Sequence, residues 1–332
     1  MQFDRTSKVL KSIEFFVLSC QKQQNRLMKK KRLRMFVILF FLAMMLGVII
    51  VEFIAPYAVV MPPKIDVVKN KDRFPYGAFP ADYTLQTVAL DIVTKDSFVL
   101  ANYLALSTQD TSKGTIIMLH GIGGCKEDYL GIAKSLTDSG YNCLIYDARA
   151  HGQSGGEYCT FGYHEKEDVQ AVVSAILAYD SETSIGIWAS SMGGAVALQA
   201  LAIEPRLKFG VIESTFTELS EIVYQYQKRY CFGIGLRFAS NRSLTLAGRM
   251  AEFDPDQIQP IKACANIKQP ILMNHGDADQ HISIAYGKQL FEALGSEDKT
   301  FYTVKGAGHT NLYTIGGAAY YKHTLNFIAA HF

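Results

Sequence analysis

No two of the six cysteines in this 332-residue chain stand in a C-x-x-C pair. That removes the usual spacing of a structural zinc site or a thioredoxin-like redox centre. No G-x-x-x-x-G-K-S/T loop and no H-E-x-x-H helix occurs, so nucleotide hydrolysis on a phosphate loop and zinc proteolysis have no support. No period of roughly 20–50 residues recurs, which argues against a repeat array. Charged residues are scarce, 19% against 49% hydrophobic. That balance excludes global disorder and permits a sizeable core. The length allows one large domain or two ordinary ones.

The formal net charge of +2 hides an uneven distribution. Residues 1–34 hold ten Lys/Arg and two Asp/Glu, and the other 298 residues hold 23 basic and 29 acidic, net −6. A body without surplus positive charge has nothing to neutralise phosphates, which argues against a nucleic-acid partner. Next to the basic segment, residues 35–51 (MFVILFFLAMMLGVIIV) run 17 residues without a charge. At about 1.5 Å per residue this spans roughly 25 Å, and extension through Ala55 reaches bilayer length. A buried core helix is the alternative, but no amphipathic face is visible and Lys29-Lys30-Lys31-Arg32-Leu33-Arg34 abuts the run. Residues 20–34 carry seven Lys/Arg and residues 52–66 carry one. The positive-inside rule then sets a cytoplasmic N-terminus and an extracytoplasmic body. A cleaved signal peptide is the rival; the run exceeds a usual h-region and no clean A-x-A site follows it. Met28 offers a second start, MKKKRLRMFV, beside Met1. The expected organisation is a basic cytoplasmic segment (1–34), one transmembrane anchor (35–55), a linker broken by Pro56, Pro62 and Pro63 (56–83), and a body (84–332). Five cysteines follow the span, so at least one is unpaired. A Cys159–Cys231 bridge is the one pairing considered, and the rest read as small buried apolar residues.

Within the body, short apolar runs alternate with helical patterns. Residues 84–93 and 97–107 read as a strand hairpin. Residues 115–119, 141–146, 184–189, 209–212, 270–274 and 300–304 read as strands, and 126–138, 165–179, 193–201, 284–294 and 313–332 as helices. Buried strands between helices imply an α/β fold, a mostly parallel sheet with helices on both faces. Such sheets place chemistry at the carboxyl ends of the strands. Residues 216–265 break the rhythm with Tyr224, Tyr226, Tyr230, Phe232 and Phe238, and read as an inserted helical cap.

After the strand SIGIWA comes Ala189-Ser190-Ser191-Met192-Gly193-Gly194, a G-x-S-x-G pattern with Ala for the first Gly. A strand-to-helix turn this tight forces the serine into strained dihedrals and needs small residues two before and two after it. Ala189 and Gly193 meet that need around Ser191; a register on Ser190 would place Trp188 and Met192 there. An ordinary helix N-cap is the plainer reading of this serine. A serine nucleophile needs a base and an acid to orient the base. His309, in a glycine-rich loop past the last strand, and Asp279, past ILMN, stand in the expected chain order Ser, Asp, His. Asp277 and Glu213 compete for the acid position. Acyl transfer also needs two N–H donors for the oxyanion; Met192 and Ile122, in His120-Gly121-Ile122-Gly123-Gly124, are the candidates, with His120 holding the loop. That loop also resembles a dinucleotide fingerprint, with Asp147 as the ribose acid. Lys126, however, stands where the third glycine belongs, and Ser191, Asp279 and His309 are left unexplained.

With these residues in place, the region 85–332 resembles the α/β-hydrolase superfamily. Tyr146-Asp147-Ala148-Arg149-Ala150-His151-Gly152-Gln153-Ser154 looks like its D-x-R-G-H-G-x-S segment with Ala150 for a Gly. Phe161-Gly162-Tyr163, with Glu165 and Asp168 downstream, is most similar to the serine aminopeptidase-like and BEM46-like hydrolases. The resemblance implies an α/β-hydrolase fold and a serine hydrolase acting through an acyl-enzyme. The expected substrates are small-molecule or lipid acyl compounds, first carboxylic esters, then thioesters and peptides. No metal or cofactor is expected. The alternatives are a non-catalytic interaction module on the same scaffold and an acyltransferase using the same intermediate.

Overall fold

A computed structural model describes residues 3–332; residues 1 and 2, and the side chains through residue 14 of the basic segment, lie outside the described residues. The chain divides into two units at Ile54/Ala55. The first is the helix α1 (Phe3–Ile49) followed by a π-helical stretch, Ile50–Ile54. Its apolar side chains, among them Phe36, Leu39, Phe40 and Phe41, point outward around the helix. Its most apolar window has a mean hydropathy of 2.9 with none of it buried, a candidate membrane span by length and composition.

The second unit opens with α2 (Ala55–Val60). Next come the strands β1 (Thr87–Val88), β2 (Asn102–Ala105) and β3 (Thr115–Leu119). There follow α3 (Leu130–Asp138), β4 (Asn142–Tyr146), α4 (Glu165–Tyr179), β5 (Ile185–Ser190), α5 (Met192–Leu201) and β6 (Leu207–Glu213). The inserted helices are α6 (Leu219–Tyr230), α7 (Arg237–Met250) and α8 (Pro260–Cys264). The chain closes with β7 (Ile271–Gly276), α9 (Ile284–Ala293), β8 (Lys299–Val304) and α10 (Leu312–His331).

The eight strands form one sheet in the order β1-β2-β4-β3-β5-β6-β7-β8. The β1–β2 and β2–β4 pairs are antiparallel and the rest parallel. Side chains alternate between the faces as a strand requires. Ile117, Leu119 and Ile187 join one core with Val169, Val173 and Val196 of α4 and α5. Ile116, Met118 and Trp188 join the other with Leu130 and Leu136 of α3 and Ile328 of α10. All the strand residues named are essentially inaccessible, each contributing about 1.5–3 kcal/mol of hydrophobic transfer. The register sets the functional rim: Leu119 lies opposite Ala189, Ser190 opposite Glu213, Glu213 opposite Asn274, and Gly276 opposite Val304. The carboxyl ends of five strands therefore finish along one edge.

Residues 56–83, expected as a linker, lie against the body in the structure, and two other expectations need correction. Val60 is fully buried, Phe74 and Ala78 pack against Cys125, and Lys64 Nζ donates to Ser154 O at 2.9 Å. Their apolar side chains gain more by covering the sheet's rim than by staying in water. The hairpin is shorter than expected: it holds the two-residue β1–β2 pairing and, nearer its turn, an isolated Val93–Val99 bridge. The Asn102 amide pairs with Leu90 N and O in place of backbone, which ends the ladder. Finally, all six cysteines are free. Cys159 is buried with its Sγ 3.3 Å from Met192 Sδ, while Cys231 is exposed between α6 and α7.

Candidate active site

The turn between β5 and α5 puts Ser191 at φ 54°, ψ −121°, a conformation that costs a non-glycine residue on the order of 1–3 kcal/mol. The surroundings hold it there. Ser191 N donates to Glu213 O at 2.9 Å, and Ser191 O accepts from Thr215 Oγ1 at 2.7 Å and Ala195 N at 3.2 Å. Gly193 cannot be anything larger: a Cβ there would stand 2.3 Å from Leu119 O and 2.7 Å from His120 O. The helix start thus presses against the end of β3, and Ser191 is left to project over the rim.

His309 reaches that rim from the loop after β8. Its Nε2 is 2.9 Å from Ser191 Oγ and its Nδ1 2.8 Å from Asp279 Oδ2. A carboxylate only accepts, so Nδ1 carries the proton of that bond and Nε2 is left to accept from the serine hydroxyl. Asp279 Oδ1 accepts from His281 N at 2.8 Å and Ile282 N at 2.9 Å. Burial on its own would raise this carboxyl. The neighbouring His275 and His309 rings, with the Ile282 N–H, outweigh it and hold Asp279 well below the usual carboxylate range. The His281 ring stacks on His309, centroids 5.3 Å apart and planes at 14°.

The two competing acids are occupied elsewhere. Asp277 Oδ1 accepts from Gly306 N at 2.6 Å, which ties down the loop carrying His309. Glu213 is buried and accepts from Trp188 Nε1 at 2.7 Å, Tyr313 OH at 2.9 Å and Tyr320 OH. Burial raises its pKa in spite of those donors. Sequence reasoning missed Thr215 and His281; neither carries a motif, and only the fold brings them to the site.

The loop after β3 passes directly over the serine: a Cβ on Gly121 would be 3.1 Å from Ser191 Cβ and 3.5 Å from its Oγ. His120 is buried. Ala148 N donates to its Nε2 at 3.1 Å and its Nδ1 faces Gly121 O at 2.8 Å. This is the neutral ring, and burial pushes its pKa down. Met192 N–H opens α5, where helix geometry leaves it without an intrahelical partner. Among the described residues, neither it nor Ile122 N–H donates to a protein acceptor. Asp147 is spent internally: its carboxylate accepts from Lys126 N (2.7 Å), Lys126 Nζ (2.9 Å) and Gln153 N (2.9 Å), all around a buried pair. Arg149 is likewise buried, forked onto Asp168 at 2.7 and 2.6 Å and onto Asp96 at 2.8 Å. Burial pushes Asp168 up to about 6 against that pairing. Beside the site lies a cavity of about 520 Å³ whose walls include Tyr226, Arg229, Asp279, His281 and Tyr286. Among the described residues no group of three His, Cys, Asp or Glu is arranged to hold a metal ion.

A strained serine at a strand-to-helix turn, bonded to a histidine that is bonded to an aspartate along the carboxyl rim of such a sheet, defines the α/β-hydrolase class. Residues 110–259 match the family described as serine aminopeptidase, S33. The uncharacterized protein YqkD of Bacillus subtilis is 26% identical over 271 residues, covering 79% of this chain and 86% of that protein. Protein bem46 of Schizosaccharomyces pombe is 25% identical over 273 residues, covering 77% and 83%. Among solved structures, the Pyrococcus furiosus esterase Pf2001 superposes with a TM-score of 0.67 at 22% identity, covering 82% of this chain and 98% of that one. The chain has the α/β-hydrolase fold, and in sequence it is similar to the serine aminopeptidase family over residues 110–259 and to protein bem46.

Proposed function

We propose that this protein is a membrane-anchored serine hydrolase that cleaves ester-type bonds through an acyl-enzyme on Ser191. The observation that carries this reading is the unbroken hydrogen-bond chain from Asp279 through His309 to Ser191 Oγ, at 2.8 and 2.9 Å. Ser191 Oγ attacks the carbonyl carbon while His309 Nε2 takes its proton. Asp279 fixes the ring tautomer and stabilises the imidazolium. The carbonyl oxygen, now an anion, accepts from the N–H groups of Met192 and Ile122. His309 returns the proton to the leaving alkoxide as the C–O bond breaks. Water, deprotonated in turn by His309, then attacks the ester carbon on Ser191; the Oγ–C bond breaks, His309 gives that proton to Ser191 Oγ, and the acid is released.

An ester-type substrate is supported by the likeness to an esterase in fold. The apolar helix α1 supports membrane anchoring, and with it an acyl substrate drawn from lipid, the N-terminus lying on the cytoplasmic side and the body on the other. Fluorophosphonate labelling of the full chain, with turnover of a soluble ester alongside, tests the reading. Ser191→Ala is expected to abolish labelling and to lower turnover by on the order of 10³-fold or more. Equal labelling and equal rates in the two proteins would refute it. Preference for an alcohol acceptor over water would mark a transferase using the same intermediate.

A further inference from the structure

The inserted helices carry a surface that catalysis does not explain. Between the end of α6 and the start of α7, every second residue is large, apolar and exposed: Tyr230, Phe232, Ile234, Leu236 and Phe238, with Phe232 99% accessible. The turn that presents them holds Phe232 at φ 52° and Gly233 at φ 88°. A protein surface seldom collects apolar side chains this densely without something to cover them. The charge around them is one-sided. Residues 222–251 contain Lys228, Arg229, Arg237, Arg242 and Arg249 and no Asp or Glu, on a body whose net charge from residue 35 onward is −6. Arg237 lies over the Tyr224 ring at 3.9 Å and pairs with Glu221.

We propose that this tip docks on an anionic phospholipid surface, aromatic and aliphatic side chains entering the headgroup region and the surrounding cations facing the phosphates. Aromatic rings flanked by Lys and Arg are the composition that partitions to that region. Lipid is favoured over a protein partner by the charge complementarity and by α1, which as a membrane anchor keeps a bilayer at high effective concentration. The proposal therefore rests on the anchor reading. The tip also adjoins the site, because Lys228, Arg229 and Gly233 line the same cavity as Asp279 and His281. A docked tip would bring the cavity to the membrane surface, where an acyl substrate would be taken up.

The test uses the full chain reconstituted in vesicles of about three parts phosphatidylcholine to one part phosphatidylglycerol, with or without brominated acyl chains. The single native tryptophan, Trp188, is buried in the sheet, so an added one reports its own surroundings. Phe232→Trp leaves the core untouched. Its added emission is expected to fall at least about twofold with brominated lipid, and several-fold less when phosphatidylcholine replaces the phosphatidylglycerol. Tyr179→Trp, exposed at the end of α4, is expected to be unaffected. Equal quenching at the two positions overturns the proposal. So does a blue-shifted, unquenched Phe232→Trp, the signature of a protein partner or a second copy of this chain. Flotation in alkali tests the anchor separately. Protein retained but unquenched sinks the docking alone. Protein released by alkali yet quenched at neutral pH sinks the anchor and supports the docking, and protein neither retained nor quenched sinks both.

Discussion

Replacing Asp279 by Asn tests the proposed chemistry at its most exposed joint. The variant keeps an amide oxygen where Oδ1 now accepts from His281 N and Ile282 N, so the turn has no reason to unfold. That choice leaves the amide NH₂ facing His309 Nδ1, where Oδ2 now sits at 2.8 Å. Two donors cannot bond, and the imidazole settles in its other tautomer, with Nδ1 accepting and Nε2–H aimed at Ser191 Oγ. The serine then has no base, and an imidazolium formed during the reaction has no counter-charge. The combined loss should be on the order of 10³–10⁴-fold in kcat, about 4–5.5 kcal/mol of transition-state stabilisation. The assay is steady-state hydrolysis of a soluble ester by the full chain in detergent, with circular dichroism as the check on fold. Asp277→Asn is the matched control, since that carboxylate bonds Gly306 N and not the ring; its rate should stay within about threefold of the parent. A loss below about tenfold for Asp279→Asn, with the fold intact, would refute the reasoning.

Three further outcomes are expected. Gly193→Ala forces a Cβ to 2.3 Å from Leu119 O, so the turn cannot close; the protein should be recovered unfolded or with no detectable turnover, and normal rates would contradict the geometry. Lys126→Met strips the cation from buried Asp147 and Glu127, which should cost about 3–5 kcal/mol in urea denaturation; a loss under about 1 kcal/mol would contradict the buried ion pair. Glu213 has a pKa raised by burial, so its favourable protonated state is fully present below the ordinary glutamate value and is lost as pH rises through the folded one. Glu213→Gln should therefore make Tm fall less steeply than in the parent as pH rises above the ordinary glutamate value, and an unchanged Tm–pH slope would show that the carboxyl ionises without cost.

Much of this arrangement was legible before any coordinates. Continuous Val/Ile runs between helical periods imply a covered parallel sheet, and the observed strands fall within about three residues of the expected ones at β3 to β8. The choice of Ser191 over Ser190 followed from size alone, because bulky Trp188 and Met192 cannot flank such a turn. What stayed hidden depends on contacts distant in sequence. Asp279 and Asp277 are two residues apart and chemically alike, and the structure separates them by which loop amides each meets. Residues 56–83 read as a linker because prolines signal a break, whereas the burial of Val60 and Phe74 depends on surfaces far along the chain. Asn102, by substituting its amide for a strand partner, shortened a hairpin that alternation alone had extended.

The hydroxyl and the imidazole that meet at 2.9 Å are separated by 118 positions, and the carboxylate that steadies the ring precedes it by 30. During synthesis the serine therefore emerges long before its partners, on an incomplete sheet that still lacks β7 and β8. Until those strands are added the hydroxyl has no imidazole beside it, so the acyl chemistry proposed for Ser191 has to wait for completion of the sheet.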